Sequence, residues 1–129
     1  MPRPGRLRES RLKKIDSAMG KYIRVCSVDE VPPGKAKMVR VEGRPIAIFN
    51  LNGDFYATDD NCPHERGPLS EGFIEGENVT CPWHGATFRI ISGKTLEPPA
   101  GEKMGPPVDK GVACYPVRIV GEELEIEIQ

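Results

Sequence analysis

Three observations predict an antiparallel, all-β fold for this chain. From Lys21 onward, short apolar runs are separated by turn residues, with no sustained helical period. Asn52-Gly53 is the strongest turn signal, because both positions tolerate the positive φ of a two-residue type I′ hairpin. Leu124, Ile126 and Ile128 alternate with Glu123, Glu125 and Glu127, the pattern of a strand with one face in a core and the other in water. A length of 129 residues allows one domain around a single packed core.

Taken in order, residues 1–20 are basic and polar, and Pro2, Pro4 and Gly5 oppose regular structure at the start. Leu7, Leu12, Ile15 and Met19 form a weak apolar stripe with Ser10 as a cap, enough for one short helix. The expectation is a loosely attached basic extension over 1–20, available as an electrostatic arm. Residues 22–27 read as the first strand, ended by Val31-Pro32-Pro33-Gly34. Residues 35–41 and 45–50 form a hairpin about Glu42-Gly43, and Asn52-Gly53 turns the chain into a strand over 55–58. Residues 73–75 and 78–80 flank Gly76-Glu77 as a small hairpin, and 87–91 with 94–96 flank Ser92-Gly93. The stretch 97–111, with Pro98, Pro99, Pro106 and Pro107, is irregular. Strands over 114–120 and 124–128, joined at Gly121-Glu122, close the chain.

Charge is balanced overall, at 18 Lys and Arg against 19 Asp and Glu. Residues 1–24 hold eight basic and two acidic side chains, so the remainder is acidic, at ten against seventeen. An acidic body lacks the clustered Lys and Arg that phosphate contacts need, which excludes nucleic-acid binding and suits a partner with a basic face. Acidic residues also serve simply to keep a small domain in solution. No apolar run is long enough for a membrane span or a secretion signal, and a cytoplasmic, reducing location is expected. Cys26 and Cys114 lie in apolar strand-like runs and read as buried thiols outside any disulfide.

The chemistry is concentrated between Asn61 and Gly85. Cys62-Pro63-His64 and Cys81-Pro82-Trp83-His84 include both histidines of the chain. Thiolate sulfur and imidazole nitrogen in two short loops suit zinc, iron or an iron–sulfur cluster. The hairpin over 73–80 has a physical task between them: it carries the chain out and back so that two remote loops meet.

The pattern C-x-H, then C-x-x-H, resembles the signature of the Rieske family. Cys62-Pro63-His64-Glu65-Arg66-Gly67-Pro68-Leu69 and Cys81-Pro82-Trp83-His84-Gly85 are similar to that family's two cluster loops. The resemblance implies a Rieske iron–sulfur fold: an antiparallel β-sandwich base carrying an inserted cluster-binding part, here about 59–97 within a domain over 21–129. It implies one [2Fe–2S] cluster, with Cys62 and Cys81 on the inner iron and His64 and His84 on the outer, solvent-facing one. The implied role is one-electron carriage from a reductase to a terminal oxygenase or other oxidoreductase, without catalysis by this chain. A Rieske-like small subunit of a reductase, such as nitrite reductase, is the alternative. A structural Cys2His2 zinc module is a further one, disfavoured by the prolines and glycines around both pairs.

The second iron site of ring-hydroxylating oxygenases needs two more histidines, which this chain does not have, and no glycine-rich nucleotide fingerprint is present. High-potential members carry a disulfide at positions corresponding to Gly67 and Trp83, and Ser and Tyr hydroxyls where this chain has Ala86 and Phe88. The expectation is therefore a potential near the lower end of the Rieske range, ~−150 mV. Trp83 is expected to pack on the neighbouring loop or to meet a partner. In the family, a proline-containing loop at the place of 97–111 covers the cluster from a third side; a plain surface linker is the other reading.

Overall fold

The computed structural model describes residues 21–63 and 67–128. The expectations for the extension over 1–20 and for His64 fall outside the described residues. Strands β1 (Lys21–Ser27), β2 (Ala36–Val41), β3 (Arg44–Leu51) and β4 (Asp54–Asp59) come first. They are followed by β5 (Phe73–Glu75), β6 (Asn78–Thr80), β7 (Thr87–Arg89) and β8 (Thr95–Glu97). The chain closes with β9 (Cys114–Tyr115), β10 (Val117–Val120) and β11 (Glu123–Ile128). All pairing is antiparallel, in three sheets ordered β1-β11-β10, β2-β3-β4-β9 and β5-β6-β7-β8.

The predicted hairpins form because their turn residues accept positive φ. Asn52 and Gly53 lie at φ 57° and 93°, and Glu42 and Gly43 at 53° and 81°, so both turns have the twist that suits a hairpin. Glu42 holds its left-handed conformation without the freedom of glycine, at the end of a six-pair ladder between β2 and β3.

β3 is the partition of the molecule. Its Ile46, Ala47, Ile48 and Phe49 are all fully buried, and alternation sends them to opposite faces. Ile46 and Ile48 join Cys26, Val39, Val41, Ala57, Leu124, Ile126 and Ile128 in the core shared by the first two sheets. Ala47 and Phe49 join a second core with Cys62, Leu69, Val79, Cys81, Ala86, Phe88 and Ile90. The small sheet β5-β6-β7-β8 is thereby seated on the back of a two-sheet base. A strand buried on both faces reads as a continuous apolar run, as 46–49 does.

Four expectations are corrected. Residues 114–120 are two strands in two sheets, because Pro116 interrupts them: β9 pairs with β4, and β10 pairs with β11. The elements expected over 87–91 and 94–96 are shorter and shifted, since Gly93 N–H turns back to the Arg89 carbonyl at 2.6 Å. Glu127 is buried rather than in water, because β11 is the central strand of its sheet and Tyr22 stands opposite it in register. Beside it, the nearly buried Arg118 lies 3.9 Å over the Tyr22 ring and donates to Glu125 Oε1 at 2.6 and 2.8 Å. Cys114 is exposed, lying on the two-residue edge strand β9, whereas Cys26 is buried as expected.

Candidate metal centre

The two ligand loops are built alike. Cys62 N–H donates to the Gly67 carbonyl at 2.9 Å, and Cys81 N–H donates to the Ala86 carbonyl at 2.8 Å. Each bond closes a loop that begins at a cysteine and returns five residues later. The stem of the first is an Asn61 to Pro68 bridge, and that of the second is the β6–β7 hairpin, where the Thr80 and Thr87 hydroxyls meet at 3.0 Å.

Asp60, buried at the stem of the first loop, accepts from Leu69 N–H through its carbonyl and from Ser70 N–H through Oδ1, both at 2.7 Å. Its own N–H donates to the Pro45 carbonyl at 3.0 Å, so the loop is moored to β3. Sequence reasoning missed this role, although an Asp beside a loop is a common acceptor for backbone N–H groups. Next to it, the Tyr115 hydroxyl donates to Asp59 Oδ1 and accepts from Arg44 Nη1 at 3.2 Å. Burial and the bond to Asp59 push the Tyr115 pKa upward, so the phenol stays a donor.

Of the four predicted ligands, the structure brings Cys62 and Cys81 together in the second core, 0% and 1% exposed. His84 is exposed on the second loop, and His64 is outside the described residues. Among the described residues no group of three or more His, Cys, Asp and Glu stands ready to hold a metal. Gly67 marks where the loops touch: a Cβ there would lie 2.6 Å from Cys81 Sγ and 3.0 Å from Trp83 Cγ. Trp83 thus packs on the neighbouring loop and is also 58% exposed. Gly72 makes a similar close approach, its would-be Cβ lying 2.3 Å from the Thr80 carbonyl oxygen.

The stretch 97–111 is more than a surface linker. Pro99 is buried, and Ala100 N–H donates to the His84 carbonyl at 2.7 Å. Its far end is held where Val112 N–H meets the Gly93 carbonyl at 2.8 Å.

This donor arrangement fits an iron–sulfur cluster. Two cysteines outside any disulfide lie in an apolar core, and the second loop also carries an exposed histidine, so soft donors are buried and a nitrogen donor is at the surface.

Comparison with known proteins agrees. The model of the Rieske [2Fe-2S] domain matches residues 21–116. The chain is 38% identical over 107 residues to the biphenyl dioxygenase ferredoxin subunit of Pseudomonas sp. (strain KKS102), covering 82% of this chain and 91% of that protein. The ferredoxin of Sphingomonas yanoikuyae B1 superposes with a TM-score of 0.71 at 27% identity, covering 84% of this chain and all of that one. A ferredoxin-sized chain in a complex of reduced oxygenase and oxidized ferredoxin of carbazole 1,9a-dioxygenase gives 0.68 at 28% identity, over 81% of this chain and 91% of that one. A family match spanning both cysteine loops, on a fold whose two loops close in the same way, places this chain in the Rieske [2Fe–2S] domain family.

Proposed function

We propose that Cys62, His64, Cys81 and His84 hold the [2Fe–2S] cluster, and that the chain carries single electrons from a reductase to a terminal oxygenase. The observation that carries this reading is that the two loops bring Cys62 and Cys81 into one buried apolar core, with the exposed His84 on the second of those loops. When bound, such a cluster takes up and gives back one electron. The protein's own residues supply the rest. The apolar core around Cys62 and Cys81 keeps water from the inner side, and Gly67 allows the backbone of one loop to approach Cys81 Sγ. His84 and Trp83 form the surface through which a partner gains access. The Ala100 N–H holds the His84 backbone in place.

The chain transforms no substrate itself. Its relatives are ferredoxin components of dioxygenase systems, which favours a diffusing carrier over a fixed reductase subunit. Family membership replaces the zinc alternative. A domain over 21–129 with its cluster-binding part about 59–97 belongs to the same reading, supported by the seating of the small sheet on β3. So does a cytoplasmic location, supported by cysteines that form no disulfide. No helix among the described residues is long and apolar enough to cross a membrane.

The test is anaerobic purification followed by iron and sulfide analysis and EPR after reduction. A rhombic signal that is altered or lost in His64→Cys and His84→Cys, and unchanged in Cys26→Ser, is expected. A colourless, zinc-loaded protein would overturn the reading.

A further inference from the structure

The two ligand loops meet at one point, and Trp83 is the side chain that closes it. Gly67 on the first loop is buried, and a Cβ placed there would lie 3.0 and 3.2 Å from Cγ and Cδ2 of Trp83 and 2.6 Å from Cys81 Sγ. The indole therefore rests against the backbone of the other loop, on the side of the contact that faces solvent. None of the four cysteines forms a disulfide, so no covalent bond between the loops does this work. Each loop is closed on itself by its own backbone bond, Cys62 to Gly67 and Cys81 to Ala86. Neither bond joins one loop to the other.

We propose that Trp83 is the noncovalent staple between the ligand loops, and that Gly67 is the matching socket. Trp83 acts as a positioning residue, holding Cys81 against the first loop and shedding water from the gap. An aromatic ring suits the task because it offers a large, rigid contact area at little entropic cost. Glycine suits the socket because any larger residue would drive the ring and Cys81 Sγ away. The ring's other side remains exposed, so a partner that covers Trp83 presses on the staple itself.

The proposal rests on the assignment of these loops as ligand loops, and the test separates the two. Wild type, Trp83→Ala and Trp83→Phe are compared by EPR lineshape and by the rate of cluster bleaching in the presence of an iron chelator. Trp83→Ala is expected to bleach on the order of tenfold faster, the factor equivalent to ~1.4 kcal/mol, with a broadened signal, and Trp83→Phe to recover most of the loss. A wild type without a rhombic signal sinks the ligand assignment. A normal wild type with an unchanged Trp83→Ala sinks the staple alone.

Gly67→Ala supplies a second readout, because its Cβ would lie 2.6 Å from Cys81 Sγ and 3.0 Å from Trp83 Cγ. In the loaded protein the fluorescence of Trp83, the one tryptophan of the chain, is expected to be quenched more readily by acrylamide in Gly67→Ala than in wild type. Equal quenching in the two proteins overturns the proposal.

Discussion

The backbone N–H of Ala100 donates to the carbonyl oxygen of His84 across 2.7 Å. This bond joins the proline-rich stretch to the loop that carries the exposed imidazole, and it does so through main chain. Ala100→Pro removes the donor, whereas Ala100→Ser keeps it. The proline variant should lose ~0.5–1.5 kcal/mol in a denaturant titration and show a shifted EPR signal, with the serine variant close to wild type. Identical spectra for all three would mean that the stretch leaves the His84 loop unaffected.

Phe88 and Ala86 are both fully buried beside Cys62 and Cys81 in the second core. Neither side chain donates a hydrogen bond, so added negative charge at this site lacks the stabilisation a hydroxyl would bring. The midpoint is expected near ~−150 mV. Phe88→Tyr and Ala86→Ser should each raise it by ~20–60 mV, the one-electron equivalent of ~0.5–1.5 kcal/mol. Protein-film voltammetry decides; a wild-type midpoint well above zero refutes the assignment to the low-potential end.

Gly93 and Gly34 share a left-handed backbone, at φ 77° and 79°. Their surroundings differ. A Cβ on Gly93 would lie 2.1 Å from the Val112 carbonyl oxygen, whereas one on Gly34 would meet nothing within 4 Å. Gly34→Ala should cost only the backbone term, ~1 kcal/mol. Gly93→Ala should cost ~1–3 kcal/mol more through overpacking, because it pries apart the crossing that anchors the end of the proline-rich stretch. Paired urea titrations would show equal losses if that crossing were unimportant.

The cysteines outside the ligand pair should separate by reactivity. Burial raises the Cys26 pKa, with Glu30 adding to the effect. Burial of the sulfur likewise raises that of Cys114, with Asp59 adding, although the residue itself is exposed and its Sγ lies 3.9 Å from the Ile90 and Val112 carbonyls. Iodoacetamide should label Cys114 slowly in the folded holoprotein and leave Cys26 unlabelled until unfolding, as read by peptide mass spectrometry. The sign for stability follows from the raised folded-state value. The contribution of neutral Cys26 is complete below the ordinary thiol pKa and is lost as pH rises through the folded one. Above the ordinary thiol pKa of ~8.5, Cys26→Ala should therefore flatten the alkaline loss of stability seen in denaturant titrations.

Much of the molecule is written locally. Asn52-Gly53 and Glu42-Gly43 carry their hairpins because backbone φ is a property of the residue and its neighbours. The apolar run 46–49 places β3 between two cores because alternation alone sends its side chains both ways. The paired Cys and His motifs mark their chemistry by donor type, and the family follows from them. Local pattern fails where a partner remote in sequence decides. Pro116 divides an apolar stretch between two sheets, and Glu127 is buried because Tyr22 on β1 pairs opposite it. Asp60 moors the first loop to β3 through Pro45, and the proline-rich stretch finds His84 through a backbone N–H that any residue but proline supplies. The Gly67 contact with Cys81 and Trp83 likewise exists only once two distant loops are folded together. Residue type and spacing specify what each segment can do; packing across the chain selects which of those possibilities meet.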